Sequence, residues 1–182
     1  MYVIMGLPGA GKTTILNEVS KRLSDFRIVN YGSLMMEIAE KEFNIKNRDE
    51  LRKASISVQK NIQKRVGEEL SKMEGKIILD THCAVKTPKG YLPGLPLSIL
   101  QNLKIDGLIL VTADINEIIE RRKNDPTRQR DKDDYSSLKE HDDMNRFMLA
   151  TYSVITGAPC YIINNKQGKL EETVEKVINI LE

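Results

Sequence analysis

The sequence has no long apolar run and almost no excess of charge of either sign. No apolar run approaches the ~20 residues that a membrane-spanning helix needs, so we expect no membrane segment. Its 28 lysines and arginines against 26 aspartates and glutamates leave a formal charge of only +2. That balance argues against a general polyanion binder, and no nucleic-acid partner is expected. Any anion site must therefore arise from local placement of charge.

Cysteines and leader signals are also sparse. Cys83 and Cys160 lie far apart, without the Cys-x-x-Cys spacing of metal or redox sites. The apolar stretch at residues 1–5 runs into glycine and is too short for the apolar region of a secretory signal peptide. One disulfide is conceivable, but we favour two reduced, buried thiols and a cytoplasmic location.

The chain does contain enough apolar residues for one compact core. It has 182 residues, 40% of them hydrophobic, and a domain of this length buries roughly 70% of its unfolded surface. Short continuous apolar runs alternate with segments of helical period, as in parallel strands covered by helices on both faces. We predict a single α/β domain over residues 1–182, with a doubly wound, five-stranded parallel sheet. The predicted strands are residues 2–5, 27–31, 76–79, 107–112 and 160–163.

Two stretches interrupt this alternation. Residues 87–96 are rich in proline and glycine, which predicts a structured loop after the third strand. Residues 124–143 are dense in charge and poor in apolar side chains. This composition predicts either a surface excursion or a mobile lid.

A glycine-rich motif follows the first predicted strand. Residues 6–13 match the G-x-x-x-x-G-K-[ST] pattern of phosphate-binding loops without a departure. Glycine lets the backbone close around a phosphate, and the helix that follows adds the positive end of its dipole. Lys12 can reach the β- and γ-phosphates, and Thr13 offers a hydroxyl group to Mg²⁺. The predicted ATP-binding residues are Gly6, Leu7, Pro8, Gly9, Ala10, Gly11, Lys12, Thr13 and Thr14.

The third predicted strand leads into Asp80, a position typical of a carboxylate that holds Mg²⁺ through water. A regulatory GTPase would have glycine three residues later, where this chain has Cys83. It would also recognise guanine with an Asn-Lys-x-Asp motif. Residues 165–168 end in Gly168 instead and lack that carboxylate. Both differences count against a GTPase.

Arginines are concentrated around the start of the charged stretch. A guanidinium group bonds phosphate oxygens in bidentate fashion and keeps its charge, which suits the charge that spreads during phosphoryl transfer. Such clusters are often solvated surface, but together with a phosphate loop this one favours an enzyme acting on two phosphate-bearing substrates. The cluster comprises Arg121, Arg122, Arg128 and Arg130.

Taken together, these motifs resemble those of archaeal-type adenylate kinases, within the P-loop nucleoside-monophosphate kinase family. The resemblance extends over almost the whole chain. Its most distinctive piece is Asp80-Thr81-His82 followed by the segment 86–96. It implies a P-loop kinase fold with a monophosphate-binding segment at about residues 31–73 and a lid at about residues 124–143. Further matching segments are residues 29–35, 48–52, 124–131 and 140–146.

The resemblance also implies a reaction, Mg·ATP + AMP = 2 ADP, with Mg²⁺ as the cofactor. ATP, AMP and ADP would be the small-molecule partners, and the protein would form a homotrimer. The implied AMP-binding residues are Ser33, Arg52, Asp80 and His82. The implied catalytic residues are Lys12, Arg121, Arg128 and Arg130. Mg²⁺ would be held by Thr13 and Asp80, through water.

Two alternatives stay open. One is another kinase of the same fold, acting on CMP, UMP or a sugar acid, because only the acceptor pocket separates these enzymes. The other is a non-catalytic, nucleotide-dependent binding protein, linked to RNA through its basic segments. His82 follows a strand-end carboxylate, and a role in the cleft is one of two hypotheses for it. A surface or packing role is favoured for His141, which lies in a predicted helix.

Overall fold

The computed structural model describes residues 1–124 and 134–182. The strands in this part are β1 (Tyr2–Gly6), β2 (Phe26–Asn30), β3 (Lys76–Asp80), β4 (Ala84–Thr87), β5 (Gly90–Pro93), β6 (Gly107–Thr112) and β7 (Cys160–Asn164). The helices are α1 (Lys12–Arg22), α2 (Tyr31–Phe43), α3 (Arg48–Lys53), α4 (Ile56–Lys72), α5 (Leu97–Leu100), α6 (Ile115–Lys123), α7 (Tyr135–Thr156) and α8 (Leu170–Leu181).

Five strands form one parallel sheet in the order β2-β3-β1-β6-β7. This arrangement confirms the prediction of a five-stranded, doubly wound α/β fold. The predicted second strand is displaced by one residue, because β2 ends at Asn30 and Tyr31 already belongs to α2. Asn30 caps that helix, since its side-chain oxygen accepts a hydrogen bond from the Ser33 N–H group at 2.9 Å.

Apolar layers cover both faces of the sheet. Val3 and Met5 of β1 pack in one layer with side chains of α2 and α4, whereas Ile4 packs in the other with α1 and α8. Successive residues of a strand point to opposite faces. A strand that is buried on both faces therefore appears in the sequence as a continuous apolar run.

Residues 84–93 form a β-hairpin, so the prediction of a loop over residues 87–96 is partly wrong. β4 and β5 pair antiparallel, with Ala84 opposite Pro93 and Thr87 opposite Gly90. Gly90 has a φ of +112°, a conformation that favours glycine. Proline is tolerated in β5 because both strands of a two-stranded ribbon are edge strands.

The outer surface of α7 and β7 is strongly apolar. Its exposed side chains include Phe147, Val154, Ile155 and Ile162, and we call this surface the α7–β7 face. No charged residue occurs between positions 146 and 166 of the sequence. Within the described ranges, none of the helices combines the length and the apolar character needed to cross a bilayer.

Candidate nucleotide-binding site

A cavity of about 850 Å³ opens at the carboxyl ends of the parallel strands, the edge at which doubly wound sheets bind ligands. The strand order places the end of β3 between the ends of β1 and β2. β1 leads into the phosphate loop, β2 leads into α2, and β3 ends in Asp80. The cavity therefore has a loop half, formed by the phosphate loop, and a helix half, formed by α2 and α3. The two halves meet at Asp80.

The phosphate loop has the backbone conformation that its glycines predict. Gly9 and Gly11 have φ values of +96° and +92°, which L side chains rarely adopt. A Cβ atom on Gly11 would also lie 2.2 Å from Asn165 Nδ2, so the loop has no space for one. α1 begins at the next residue, Lys12. The N–H groups of its first turn and the positive end of its dipole therefore lie at the cavity, where an anion would be stabilised.

The predicted ATP-binding residues line the cavity, with the exception of Ala10. Ala10 is fully buried instead. Its carbonyl oxygen accepts hydrogen bonds from Asn165 Nδ2 at 2.8 Å and from Arg121 Nη1 at 3.4 Å. Ala10 therefore anchors the loop from beneath, and contact between this residue and ATP stays a prediction.

Lys12 and Asp80 form an ion pair at the junction of the two halves, and each side chain is 14% exposed. Lys12 contacts Asp80 Oδ1, while Asn30 Nδ2 donates a hydrogen bond to Asp80 Oδ2 at 2.7 Å. Apart from Lys12, Asp80 Oδ1 has no hydrogen-bond partner in the described part of the chain. The phosphate-loop lysine thus contacts this carboxylate.

The residues at this junction suit a magnesium ion that arrives with a nucleotide. Within residues 1–124 and 134–182, no cluster of three or more His, Cys, Asp or Glu side chains could form a cage for a metal. Mg²⁺ commonly binds one or two protein oxygens and takes its remaining ligands from phosphate and water. Thr13 is exposed and lines the same cavity as Asp80. The Thr13 hydroxyl group and the Asp80 carboxylate, whose Oδ1 contacts Lys12 alone among the described residues, form such a set of oxygen ligands.

The helix half is lined by apolar and basic side chains. Met35, Met36 and Leu51 provide apolar surface, and Arg48 and Arg52 provide positive charge. The predicted residue Arg52 therefore lies in the cavity. It is well exposed and forms an ion pair with Asp49 at 3.4 Å. Arg48, which was not among the predicted site residues, lines the cavity as well.

Ser33 lies elsewhere. It lines a second cavity of about 260 Å³ between β2 and α2, together with Arg27 and Glu37. It is the third residue of α2, and its backbone N–H group is occupied by the Asn30 cap. The structure therefore does not bring the Ser33 side chain to the main cavity, and its contact with AMP stays a prediction.

Arg121 and Arg122 brace the phosphate loop. Arg122 Nε donates to the Pro8 carbonyl oxygen at 2.8 Å. Arg121 Nη2 donates to the Asn165 carbonyl oxygen at 3.0 Å and to Glu117 Oε2 at 2.9 Å. Arg121 also lines the cavity, so its predicted contact with phosphate would add to this bracing role. The predicted residues Arg128 and Arg130 lie outside the described part of the chain.

The two histidines differ in position. His82 is exposed and lines the cavity, as one of the two hypotheses proposed. His141 Nε2 lies 3.0 Å from the Ala84 carbonyl oxygen, and Asn145 Oδ1 accepts from the Ala84 N–H group at 2.9 Å. α7 thus holds both backbone groups of the first hairpin residue. This contact gives His141 the packing role that the sequence favours.

Burial sets the pKa values of several groups near the site. Burial and, to a smaller extent, the charge of Asp142 raise the pKa of Cys83 to about 12. Burial likewise raises the pKa of Tyr152 to about 12 and raises the pKa of Tyr31 above its ordinary value. These groups are therefore neutral at physiological pH. Cys83 and Cys160 are both free. The expectation that both are buried is wrong for Cys160, which is exposed because it opens the edge strand β7.

Sequence reasoning missed Asn30 and Asn165 as site residues. Asn30 contacts Asp80, and Asn165 is 6% exposed beneath the phosphate loop. Both asparagines lie at or just after the carboxyl end of a sheet strand, where Asp80 also lies. That shared position is the signal that could have identified them.

Comparison with known proteins places the chain in a family. A family model described as "AAA domain" matches residues 5–139. An adenylate kinase of Thermoplasma acidophilum is 44% identical over 98% of this chain and 97% of its own length. An adenylate kinase of Methanocaldococcus jannaschii is 44% identical over 100% of this chain and 97% of its own length.

Solved structures agree on the fold. A shikimate kinase from Bacteroides thetaiotaomicron matches with a TM-score of 0.59 at 14% identity, covering 99% of this chain and 97% of that one. This likeness concerns the fold alone. The chain has an intact phosphate loop at the edge of a parallel sheet, and its similarity to adenylate kinases extends over its full length. The protein therefore belongs to the adenylate kinase family.

Proposed function

We propose that the protein is an adenylate kinase, which catalyses the reversible Mg²⁺-dependent conversion of ATP and AMP into two molecules of ADP. The observation that carries this proposal is the similarity to adenylate kinases over the full length of the chain. The cavity supports it, because one open space joins a phosphate loop to a second pocket that contains Arg48 and Arg52. Two phosphate-bearing substrates could thus meet at Asp80.

The proposed mechanism depends on positioning. The phosphate group of AMP is largely ionised at neutral pH, so it can attack without a general base. Lys12 and the first turn of α1 would hold the phosphates of ATP, and the arginines of the helix half would hold AMP. Lys12 would have to exchange its contact with Asp80 for one with phosphate. Bound Mg²⁺ would supply positive charge against the charge that develops during transfer.

We further propose that residues 31–73 form the monophosphate-binding segment and that residues 124–143 form a lid. In this proposal Arg128 and Arg130 contact the transferring phosphoryl group when the lid closes. Closure would exclude water and so suppress hydrolysis of ATP. The contact between Arg122 and the Pro8 carbonyl oxygen supports the proposal, because it joins the helix before the lid to the phosphate loop.

A substrate panel tests the proposed function. Purified protein with Mg²⁺ and ATP is incubated with AMP, CMP, UMP, GMP or a sugar acid, and ADP formation is measured. We expect AMP to be the preferred acceptor. Preference for another monophosphate or for a sugar acid would assign the protein to a different kinase specificity. If ATP binds but no acceptor is phosphorylated, the non-catalytic alternative is correct.

We also propose that the protein is a cytoplasmic homotrimer, and that copies meet through the α7–β7 face. Exposed, contiguous apolar surface without charge is typical of protein interfaces. Val154 of α7 is 85% exposed. Light scattering should give a trimer mass for the wild type and a smaller mass for Val154→Glu. Ile56→Glu, at a 74% exposed position on α4, is the control and should leave the trimer intact. A monomeric wild type would refute this part.

A further inference from the structure

Asn30 uses both ends of its side-chain amide. Its Nδ2 donates a hydrogen bond to Asp80 Oδ2 at 2.7 Å, and its Oδ1 accepts one from the Ser33 N–H group at 2.9 Å. The Ser33 N–H group can only donate, and an ionised carboxylate can only accept. The orientation of the amide is therefore fixed by its two partners.

The sheet places Asn30 beside Asp80. The two residues are the last of β2 and β3, and they are paired directly in the parallel register. Both line the main cavity. Asp80 in turn contacts Lys12 through its other oxygen. A continuous series of polar contacts therefore runs from the start of α1, through Asp80 and Asn30, to the first turn of α2.

We propose that Asn30 is a positioning residue that orients the Asp80 carboxylate and fixes the start of α2 relative to the phosphate loop. The terminal torsion of an aspartate is broad, so a carboxylate without this contact could rotate away from Lys12 and from a nucleotide-bound metal. A group that hydrogen-bonds a metal-binding carboxylate commonly changes metal affinity or activity by about 10- to 100-fold. The inference rests on the proposed function for its kinetic consequences only.

Two substitutions separate the contact with Asp80 from the helix cap. Serine and aspartate are N-cap residues about as good as asparagine, so Asn30→Ser and Asn30→Asp should both retain α2. Serine ends short of Asp80, and aspartate replaces the donor N–H by an acceptor oxygen of like charge. Both therefore lose the hydrogen bond to Asp80, and Asn30→Asp also adds repulsion.

Asn47 provides a matched control. It caps α3 by accepting from Asp49 and Glu50 N–H groups, and its Nδ2 donates to the Glu50 carboxylate at 2.8 Å. Asn47→Ser therefore removes the same kind of bond, from an asparagine cap to a carboxylate, without a contact to Asp80.

Calorimetric titration of ATP provides a readout that does not depend on turnover. With Mg²⁺ we expect ATP affinity to fall by about tenfold or more in Asn30→Ser, and further in Asn30→Asp. With EDTA in place of Mg²⁺, the affinity of Asn30→Ser should equal that of the wild type. In kinetic assays kcat should fall by about 10- to 100-fold for Asn30→Ser, while its unfolding temperature stays close to the wild-type value. Asn47→Ser should match the wild type in ATP affinity, because Asn47 has no contact with Asp80 or with the phosphate loop.

Wild-type ATP affinity and kcat in Asn30→Ser would overturn the inference. The inference would also be overturned if both Asn30 variants unfolded at a lower temperature than the wild type but bound ATP with Mg²⁺ equally well. Asn30 would then contribute to folding alone. Failure of the proposed function has a different signature, since the wild type would then bind ATP without phosphorylating any acceptor. The calorimetric comparison between Asn30→Ser and the wild type would still decide the role of Asn30.

Discussion

The loop half and the helix half of the cavity are held in place by different means. The phosphate loop is fixed by hydrogen bonds to its buried backbone, from Asn165 and Arg121 to the Ala10 carbonyl oxygen and from Arg122 to that of Pro8. In the helix half, α3 has six residues and none of them is buried. Segments with few buried contacts open at low free-energy cost. The loop half is therefore preformed, whereas the helix half can adapt to its ligand.

Side-chain amides at the two halves illustrate this difference. Asn165 is buried and lies beneath the phosphate loop. Gln59 of α4 donates from Nε2 to carbonyl oxygens at the end of α3, including that of Ala54 at 3.0 Å, but it is only partly buried. Substitutions in the two halves should accordingly affect different measured quantities.

The largest effect is expected from Lys12→Ala. It removes the charge that would hold the phosphates of ATP in the preformed half, and we expect kcat to fall by about 10²- to 10³-fold, as when a preorganised charge stabiliser is lost. ADP formation at saturating ATP and AMP measures this. Lys21→Ala, at an exposed position near the end of α1, is the control. Unchanged turnover in Lys12→Ala would refute the assigned site.

The next effect concerns the bracing of the loop. Asn165→Ala leaves the buried carbonyl oxygen of Ala10 with only the longer bond from Arg121, and we expect a loss of about 1–3 kcal/mol of unfolding free energy. The KM for ATP should rise while the KM for AMP stays the same. Urea unfolding measures the free energy of unfolding, and steady-state kinetics measures the two KM values. Asn164→Ala, at the exposed position before Asn165, is the control. If the KM for AMP rose equally, the two halves would not be independent.

A smaller effect is expected in the helix half. Arg52→Ala removes an exposed charge whose ion pair with Asp49 is weak, so stability should change by less than about 0.5 kcal/mol. The KM for AMP should rise by about tenfold, which corresponds to about 1.4 kcal/mol of binding free energy. Lys53→Ala, at the next exposed position, should leave that KM at the wild-type value. An unchanged KM for AMP in Arg52→Ala would place the acceptor elsewhere.

The last effect is a pH dependence of stability that arises at Cys83, in the buried core. The pKa of Cys83 is raised from 9.0 to about 12 by burial. Between pH 9 and pH 12 the Cys83 thiol is therefore neutral in the folded state and ionised in the unfolded chain. This contribution to stability is complete below pH 9 and is lost as the pH rises towards 12. Cys83→Ala should unfold with a shallower pH dependence in that range, measured by thermal unfolding. If the stability of Cys83→Ala and of the wild type fell equally steeply with pH, the pH dependence would not arise from Cys83.

The sheet and the phosphate loop could be predicted because their physics is local in the sequence. Strands buried on both faces require continuous apolar runs, and the loop conformation requires glycine at Gly9 and Gly11. The hairpin could not be predicted, because its first residue is held by His141 and Asn145 of a helix distant in sequence. The direction of the Ser33 side chain could not be predicted from the residues either, because it depends on where β2 ends and α2 begins.

The length of α7 has a mechanical consequence. Its 22 residues span about 33 Å. In the first half of the helix, His141 and Asn145 hold Ala84 at the base of the hairpin, whose Val85 lines the cavity. Near the carboxyl end of the helix, the Val154 side chain is exposed to solvent. A neighbouring subunit docked at Val154 would restrict the tilt of the whole helix, and through it the freedom of the cavity wall. In the proposed trimer, assembly would then stiffen the cavity wall through α7.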